Sequence, residues 1–205
     1  MSVHKRKYGS YKQYINHQAR KVSKLGTKKK KFSSNVKSFQ LRIKEFIKYF
    51  KGENVLCLGA RFGEEVVALR RFGYKKTIGI DLNPDNSEYV IQGDFHNMPF
   101  EKNSFDSIYT NCIDHAWDVK LLFSEVNRVL VVGGVFILEI PHIIGVNKKS
   151  RKLFVQSGSK YESVTFDKIS DISKQAVGFE LIKKIKGNYK RIIAIFEKKE
   201  DSING

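Results

Sequence analysis

After Gly52 the chain alternates short, almost wholly apolar segments with segments whose apolar residues recur at helical spacing. The apolar segments NVLCLG and KTIGID have no polar face, which is typical of parallel strands buried on both sides. Helical patterns, such as GEEVVALRRFG, lie between these segments. Because strands and helices that alternate in this way pack as a mainly parallel sheet with helices on both faces, the sequence predicts an α/β fold.

The regions at either end of this alternation have patterns of their own. Residues 36–50 have an apolar stripe at helical spacing, which predicts an amphipathic helix packed against the sheet. Near the carboxyl end, FELIKKIKG and YKRIIAIFEK alternate apolar and polar residues around Gly187 and Asn188, which predicts a hairpin and an antiparallel sheet edge. The remaining patterns predict strands at 89–92, 105–110 and 134–140 and helices at 117–130 and 165–177.

Composition excludes several other classes of protein. With 41% hydrophobic residues and three prolines among 205, the chain is neither disordered nor collagen-like and has enough apolar residues for a core. Cys57 and Cys112 provide no disulfide framework and no paired metal knuckle, so we expect a reducing, intracellular compartment and no metal. The apolar run 129–138 is too short to cross a bilayer, and the first residues lack the apolar stretch of a signal peptide. We therefore expect a cytoplasmic protein without a transmembrane segment, with the nucleus as the alternative.

The positive charge is concentrated at the amino end. Of the formal net charge of +17, residues 1–51 carry +15, from 16 Lys and Arg against one acid, Glu45. We interpret residues 1–35 as a basic, flexible arm and residues 36–205 as the folded domain, which begins with the amphipathic helix. Lysines neutralise phosphates, so the arm predicts a nucleic-acid partner bound through residues 1–51, RNA in preference to DNA.

Aromatic residues are interleaved with these cations. Tyr8, Tyr11 and Tyr14 recur every third residue, and such rings can stack on unpaired bases. The residues predicted to contact nucleic acid are Lys5, Arg6 and Lys7. An acidic membrane surface, another acidic partner, or a purely solubilising tail remain as alternative interpretations of the arm.

Chemistry-bearing residues follow the predicted strands at the points where the strands end. In an open α/β sheet, ligands bind at the carboxyl ends of the strands, where the winding reverses. The first strand ends in a glycine turn at residues 59–63, and the second ends at Asp81, whose carboxylate can accept hydrogen bonds from two sugar hydroxyls. The next two strands end in Asp94-Phe95 and Asn111-Cys112. Each residue alone could be a loop residue or a helix cap, but their phase with the strands favours a shared site.

These segments resemble the class I S-adenosylmethionine-dependent methyltransferases, in particular the small type 11 domains. The resemblance covers about residues 54–140 and rests on VLCLGARFGEEV, TIGIDLNP, IQGDFHNMPF, NSFDSIYTNCIDHAWD and EVNRVLVVGGVFILEI. It implies a Rossmann-like fold with a mainly parallel seven-stranded sheet, an antiparallel terminal strand and helices on both faces. It also implies S-adenosylmethionine as the cofactor and methyl transfer as the activity.

The resemblance implies roles for individual residues. The glycine turn, formed here by Gly59, Ala60, Arg61 and Gly63, is expected to lie against the methionine part of the cofactor. Asp81 is expected to hold the ribose, and Asp94 with the backbone of Phe95 to contact the adenine. Leu82 and Asn111 complete the set of expected cofactor-binding residues.

One residue departs from the family pattern. The family turn usually reads GxGxG, and Arg61 replaces its middle glycine. An arginine there must point away from the cofactor or pair with an acid, for which Glu64 and Glu65 are the nearest in sequence. The substitution keeps open an alternative, a binding protein that retains the fold without catalysis. A nicotinamide-binding Rossmann domain is disfavoured because GxGxxG is absent.

Methyl transfer from a sulfonium is an in-line displacement that requires alignment of the acceptor and exclusion of water. A hydroxyl acceptor benefits from a base, whereas a neutral amine needs none. The histidines that follow strands are His96, His115 and His142. We take His115 as the candidate base, oriented by Asp114 or Asp118, and His115 and His142 as acceptor-binding residues. The alternative is that one of these two acids caps the following helix and His115 only packs there. The methyltransferase is predicted to act on or be recruited by a nucleic acid, RNA in preference, with a small molecule, a lipid or a protein as the alternative acceptor.

Overall fold

The computed structural model describes residues 3–5, 8–25, 32–85, 88–141, 144–146, 153–155, 164–166, 169–188 and 191–200. The helices are α1 (Tyr11–Leu25), α2 (Phe32–Ile43), α3 (Glu64–Arg71), α4 (Val119–Val129) and α5 (Ile169–Ser173). The strands are β1 (Val3–Lys5), β2 (Val55–Leu58), β3 (Ile78–Asp81), β4 (Val90–Gln92), β5 (Phe105–Thr110), β6 (Leu130–Pro141), β7 (Ile144–Val146), β8 (Leu153–Val155), β9 (Val164–Phe166), β10 (Phe179–Gly187) and β11 (Arg191–Lys198). None of the helices in these ranges is long and apolar enough to cross a membrane.

Seven strands form one sheet in the order β10-β11-β6-β5-β2-β3-β4. The neighbours from β6 to β4 are parallel, whereas β11 runs antiparallel to both β6 and β10. This confirms the predicted α/β fold and the terminal hairpin. Successive strands are added toward β4 on one side of β2 and toward β6 on the other, so the winding reverses between β2 and β5. A crevice at the carboxyl end of β2 follows from this order.

Both faces of the central strand are buried, as its composition predicts. Leu56 and Leu58 pack into a core shared with α4, whereas Val55 and Cys57 pack into a second core shared with α2 and α3. All four side chains are at most 1% exposed. A strand enclosed by two helical layers holds its carboxyl end, and therefore the glycine turn, in a fixed position.

Three predicted helices have different bounds in the structure. The helix expected at 36–50 begins earlier and ends at Ile43, where the backbone tightens into i→i+3 hydrogen bonds and places Phe46 and Phe50 against the ring of Tyr109. The helix expected at 165–177 is reduced to α5, because residues 164–166 instead pair with β1. Helix α4 begins at 119, since the carboxylate of Asp118 accepts the backbone N–H groups of the first turn.

A buried ionic cluster joins α2 to strands β5, β6 and β11. Glu139, which is 1% exposed, accepts hydrogen bonds from Nε of Arg42 at 2.9 Å and from the hydroxyl of Tyr109 at 2.5 Å. Arg191 also donates to Glu139, and its Nη2 lies 3.0 Å from Oε1 of Glu45. Two guanidinium groups and one phenol therefore depend on a single carboxylate.

Candidate functional site

A cavity of about 240 Å³ opens at the carboxyl ends of β2, β3 and β5, where the winding of the sheet reverses. Ligand sites of open α/β sheets occur at this position. Most of the residues predicted at the strand ends are brought together here: the lining includes Gly59, Arg61, Asp81, Leu82, Phe95, Asn111 and His115. We take this cavity as the candidate functional site.

A larger cavity of about 580 Å³ lies at the opposite edge of the sheet. Its lining includes Lys102, Lys198 and the carboxyl-terminal turn of α4. Nζ of Lys198 is already bonded to the carbonyl oxygens of Asn127 and Leu130 and to the side chain of Asn103. Because this edge holds the amino ends of the parallel strands, its position does not favour a catalytic site.

Glycine is required at two positions of the turn after β2. Gly59 has φ +70°, and a Cβ added there would lie 2.2 Å from Sγ of Cys112. Gly63, at the start of α3, has φ +76°, and its Cβ would lie 2.7 Å from the Cβ of Tyr89. Any side chain at either position would combine backbone strain with a clash. Ala60, between them, is 1% exposed and belongs to the hydrophobic core below the turn.

Arg61 has a different partner from the one predicted. Its Nη2 lies 3.0 Å from Oδ2 of Asp85, and its carbonyl oxygen accepts the backbone N–H of Asp85 at 2.9 Å. The guanidinium also lies over the ring of Phe62, with 4.6 Å between its carbon and the ring centroid. Nε of Arg61 is buried and has no hydrogen-bond partner among the described residues. An unpaired buried donor costs about 1–3 kcal/mol.

The expectation that Glu64 or Glu65 pairs with Arg61 is wrong. Oε1 of Glu64 accepts a hydrogen bond from the side-chain amide of Asn35 at 2.7 Å, so this acid serves the packing of α2 on α3. Glu65 is 4% exposed, and burial raises the pKa of its carboxyl group to about 8, with the neighbouring Glu64 charge adding to the effect. Both acids lie in the first turn of α3 and are buried.

Asp81 ends β3 and lines the cavity opposite the glycine turn. Its Oδ1 accepts the backbone N–H of Asn83 at 2.8 Å, which fixes the direction of the carboxylate. The backbone N–H groups of Gly59 and Ala60 both donate to the carbonyl oxygen of Ile80. The glycine turn and the carboxylate are thus held together by the backbone as well as by the sheet.

Asp94 and Phe95 take different positions. Phe95 lines the cavity, whereas the residues that line it do not include Asp94. Oδ1 of Asp94 accepts the backbone N–H of His96 and lies 2.8 Å from Nδ1 of the same residue. Contact between the Asp94 carboxylate and adenine therefore stays a prediction.

Hydrogen bonds fix the tautomer of His96. Nε2 of this histidine lies 3.1 Å from the backbone nitrogen of Trp117 and 3.2 Å from that of Asp118, and both N–H groups donate to it. Nε2 must then be unprotonated, and Nδ1 carries the proton that Asp94 accepts. His96 is 4% exposed and supports the start of α4. It is consequently unsuited to act as a base.

His115 lies at the end of a 3-10 turn after β5 and lines the cavity together with Asn111 and Cys112. Asp118 is engaged in capping α4, as the alternative interpretation of this acid predicted. A role for His115 as base or acceptor-binding residue stays a prediction. The backbone of Lys5 lies in β1, whereas its side chain falls outside the described residues, as do Arg6, Lys7 and His142.

The cavity wall also contains Asn83, Tyr14 and Gln18, which were not predicted as site residues, and the last two belong to the segment interpreted as a flexible arm. The structure differs there, since residues 11–25 form α1 and Tyr14 is 1% exposed. Tyr14 packs edge-on against the ring of His96, with centroids 5.8 Å apart, and Tyr11 contacts Trp117 at 4.9 Å. A spacing of three residues is also one face of a helix, and this was the overlooked signal.

Burial of Tyr14 changes both its chemistry and its predicted role. Burial raises the pKa of its hydroxyl, and the nearby Cys112 adds to the effect. An enclosed ring has no exposed face for a base, so the interpretation of Tyr14 as a stacking platform is wrong. Its position makes it part of the cavity wall.

The sheet order, the glycine turn after the first central strand and the carboxylate after the second are similar to those of the class I S-adenosylmethionine-dependent methyltransferases. Residues 56–138 match the family described as "Methyltransferase domain". S-adenosylmethionine is the cofactor of this class. Among the described residues, no cluster of His, Cys, Asp or Glu could hold a metal ion.

Several known proteins are similar to parts of the chain. The sterol 24-C-methyltransferase of Pneumocystis carinii is 31% identical over 102 residues, which are 42% of this chain and 27% of that protein. The sterol 24-C-methyltransferase of Schizosaccharomyces pombe is 42% identical over 58 residues, 28% of this chain and 15% of that protein. The chain thus spans less than a third of the length of these curated relatives.

Solved structures share the fold over most of the chain. A Pyrococcus horikoshii protein superimposes with a TM-score of 0.62 at 17% identity, covering 84% of this chain and 93% of that one. The structure of a complex between the Haloferax volcanii Trm112 methyltransferase activator and a putative methyltransferase gives a TM-score of 0.60 at 16% identity, covering 92% of this chain and 98% of that one. At these identities the likeness concerns the fold alone.

Proposed function

We propose that this protein transfers a methyl group from S-adenosylmethionine to an acceptor bound in the cavity at the carboxyl ends of β2, β3 and β5. The observation that carries the proposal is the convergence of the Gly59 turn and the Asp81 carboxylate on one cavity at the reversal of the winding. The positive φ of Gly59 lets the backbone turn sharply beside the cavity, and Asp81 offers acceptors for vicinal hydroxyls. These features fit the amino-acid and ribose parts of the cofactor.

The remaining wall residues have consistent roles in this reaction. S-adenosylmethionine supplies a methyl group activated by a positively charged sulfur. Phe95 offers an apolar surface for the adenine, and Tyr14 shields the cavity from water. Asn111 and His115 follow β5 and line the same space, where they can orient an acceptor. For a hydroxyl acceptor, a ring nitrogen of His115 would take the proton that is released.

Asp81→Ala is expected to weaken binding of S-adenosylmethionine by about 10- to 100-fold, because hydrogen bonds to a charged group contribute about 1.5–3 kcal/mol. Asp81→Asn retains an oxygen for the N–H of Asn83 and should lose less. Isothermal titration measures both, with Glu101→Ala, an exposed acid before β5, as the control. Absence of measurable affinity in the wild-type protein would refute the proposed function.

We also propose that the basic arm recruits a nucleic acid, with RNA favoured over DNA. The support is the charge of +15 within residues 1–51. Because Tyr14 is enclosed, the contacts are assigned to lysines and arginines that neutralise phosphates. A small-molecule acceptor is the second candidate, because Tyr14 and Gln18 close one side of the cavity and leave little room for a polymer. The names of the curated relatives, which specify sterols, favour the same candidate.

Neutralising the arm separates these two candidates. Replacing the four lysines 28–31 by glutamine is expected to weaken single-stranded RNA binding and to reduce the slope of log affinity against log salt by about 0.7 for each phosphate that is no longer neutralised. The matched control removes the same charge from exposed lysines of the folded body, Lys75, Lys183, Lys184 and Lys186. Equal reductions of affinity in both variants would contradict recruitment by the arm, and a wild-type protein without RNA affinity would favour the small molecule.

A further inference from the structure

The larger cavity, at the edge of the sheet opposite the candidate site, is lined by basic residues without acids. Among the described residues that line it, none is Asp or Glu, and five are cations: Lys102, Lys120, Arg128, Lys174 and Lys198. Residues 52–205 contain 22 Lys and Arg against 20 Asp and Glu, so their near-neutral composition does not account for such a wall. We call this site the basic cavity.

Two of the five cations serve the packing of the wall. Arg128 donates to the carboxylate of Glu125 and to two backbone carbonyl oxygens. Nζ of Lys198, whose residue is 2% exposed, donates to two carbonyl oxygens and to the side chain of Asn103. These hydrogen bonds hold both side chains in place, so any recognition of a ligand falls to the other three cations.

The other three cations converge on the basic cavity from three separate segments. Lys102 precedes β5, Lys120 lies in the first turn of α4, and Lys174 follows α5. All three residues are exposed, and within the described part of the chain their ammonium groups make no hydrogen bond or ion pair. A cleft lined by one sign of charge concentrates ions of the opposite sign, so the three ammonium groups attract an anion.

The size of the basic cavity and its neutral groups favour a compact anion. Its volume of about 580 Å³ lies within the range of small-molecule sites, about 300–1,000 Å³. Ser124 and Asn127, on the same face of α4 as Lys120, add a hydroxyl and an amide that can donate to anionic oxygens. Among the described lining residues the one aromatic ring, that of Phe123, is 1% exposed, so no ring is offered on which a nucleic-acid base could stack.

We propose that the basic cavity binds a compact ligand with two or more phosphate groups in a row, whose charges Lys102, Lys120 and Lys174 neutralise together. Linked phosphates place several negative charges within a few bonds of one another, so a single ligand can pair with ammonium groups from three segments. Charge-assisted hydrogen bonds to phosphate oxygens then replace contacts with water. The proposal is independent of methyl transfer, because the basic cavity and the candidate cofactor cavity share no lining residue.

The test is a titration of the full-length, nitrogen-15-labelled protein with inorganic tripolyphosphate, followed by amide NMR, which separates the basic cavity from the basic arm residue by residue. We expect saturable shifts of the amides of residues 120–128 and 174–177. Replacing Lys102, Lys120 and Lys174 together by glutamine should weaken this binding about 10-fold, because each exposed charge contributes a fraction of a kcal/mol. The matched control replaces three exposed lysines outside the cavity, Lys75, Lys183 and Lys186, and should weaken it less than twofold.

The outcomes separate recognition in the cavity from attraction by net charge. Shifts confined to the arm, or equal weakening in the two triple variants, would overturn the proposal. Citrate, with three carboxylates, should bind these amides more weakly than tripolyphosphate, and equal binding would overturn the assignment to phosphate. An oligouridylate of eight nucleotides that binds the same amides more tightly than tripolyphosphate would assign the cavity to an RNA backbone and overturn the compact ligand.

Discussion

Replacing Glu139 by alanine is expected to lower the free energy of unfolding by about 3–5 kcal/mol, the typical loss when one partner of a buried ion pair is removed. The carboxylate of Glu139 is the shared acceptor for Arg42, Arg191 and Tyr109. Without it, Arg191 would lose its ion pair with the most buried acid of the cluster while keeping the pair with Glu45, and the hydroxyl of Tyr109 would lose its acceptor in a buried setting. Urea unfolding followed by circular dichroism measures the loss.

A matched acid on the neighbouring strand provides the control for Glu139. Glu197, in β11, pairs with Lys51 at 2.6 Å, but the two side chains are 25% and 47% exposed. Such a pair contributes about 0–1 kcal/mol, so Glu197→Ala should change stability little. Glu139→Gln keeps an acceptor for Tyr109 and should fall between the two alanine variants. Equal losses for Glu139→Ala and Glu197→Ala would contradict the central role of the buried cluster.

The location of this cluster explains why its loss would affect more than local packing. It joins α2 to three neighbouring strands through residues 52 and 97 positions apart in sequence. Arg191 belongs to β11, the strand inserted antiparallel between β6 and β10. The cluster therefore fixes the register of the inserted strand as well as the position of the amino-terminal helix.

The strands of the sheet could be predicted from the sequence because the pattern of each strand lies within a few consecutive residues. Strand β5 has the predicted bounds 105–110, and β2 lies where NVLCLG predicts it, since a strand enclosed on both faces is apolar at every position. The strand ends then locate Gly59 and Asp81 at one edge of the sheet without knowledge of side-chain contacts. The α/β class and the position of the strand ends followed from this periodicity, whereas the seven-stranded sheet and the roles of individual residues were expected from the resemblance to the methyltransferases.

The partners of individual side chains were harder to predict from the sequence because they depend on packing between segments that are distant along the chain. Arg61 pairs with Asp85, 24 residues away, although Glu64 and Glu65 are nearer in sequence. The acids nearest in sequence are directed by α3 toward α2, and the loop after β3 brings Asp85 beside the glycine turn. Proximity along the chain is a poor guide where a turn meets a helix.

The same limitation applies to the arm. Tyr14 contacts His96, which is 82 residues away, and no local pattern reveals such a contact. Lysines around the tyrosines favoured a solvent-exposed arm, but Tyr11 and Tyr14 lie on one face of α1. Tyr11 contacts Trp117, and the buried ring of Tyr14 contacts both Trp117 and His96. The basic residues indicated the solvent-exposed face of α1, and the spacing of the tyrosines indicated the face that packs on the folded domain.

Tyr14→Ala is expected to weaken the docking of α1 on the folded domain by about 3 kcal/mol, a shift of more than 100-fold in the docking equilibrium. Its ring is 1% exposed and contacts His96, Trp117 and Tyr11. Because α1 lies outside the main sheet, we expect Tyr14→Ala to release this helix while the free energy of global unfolding changes little. Hydrogen exchange measures this directly, as reduced protection of the backbone amides of residues 11–20.

Two variants separate the contribution of the ring from other effects. Tyr14→Phe keeps the ring and should retain most of the protection, whereas Lys12→Ala, on the exposed side of the same helix, should leave it unchanged. Release of α1 removes Tyr14 and Gln18 from the cavity wall, so affinity for S-adenosylmethionine should fall in Tyr14→Ala in parallel with protection. Unchanged protection in Tyr14→Ala would contradict the docking role. Reduced protection with full cofactor affinity would show that α1 covers the acceptor side of the cavity instead of the cofactor side.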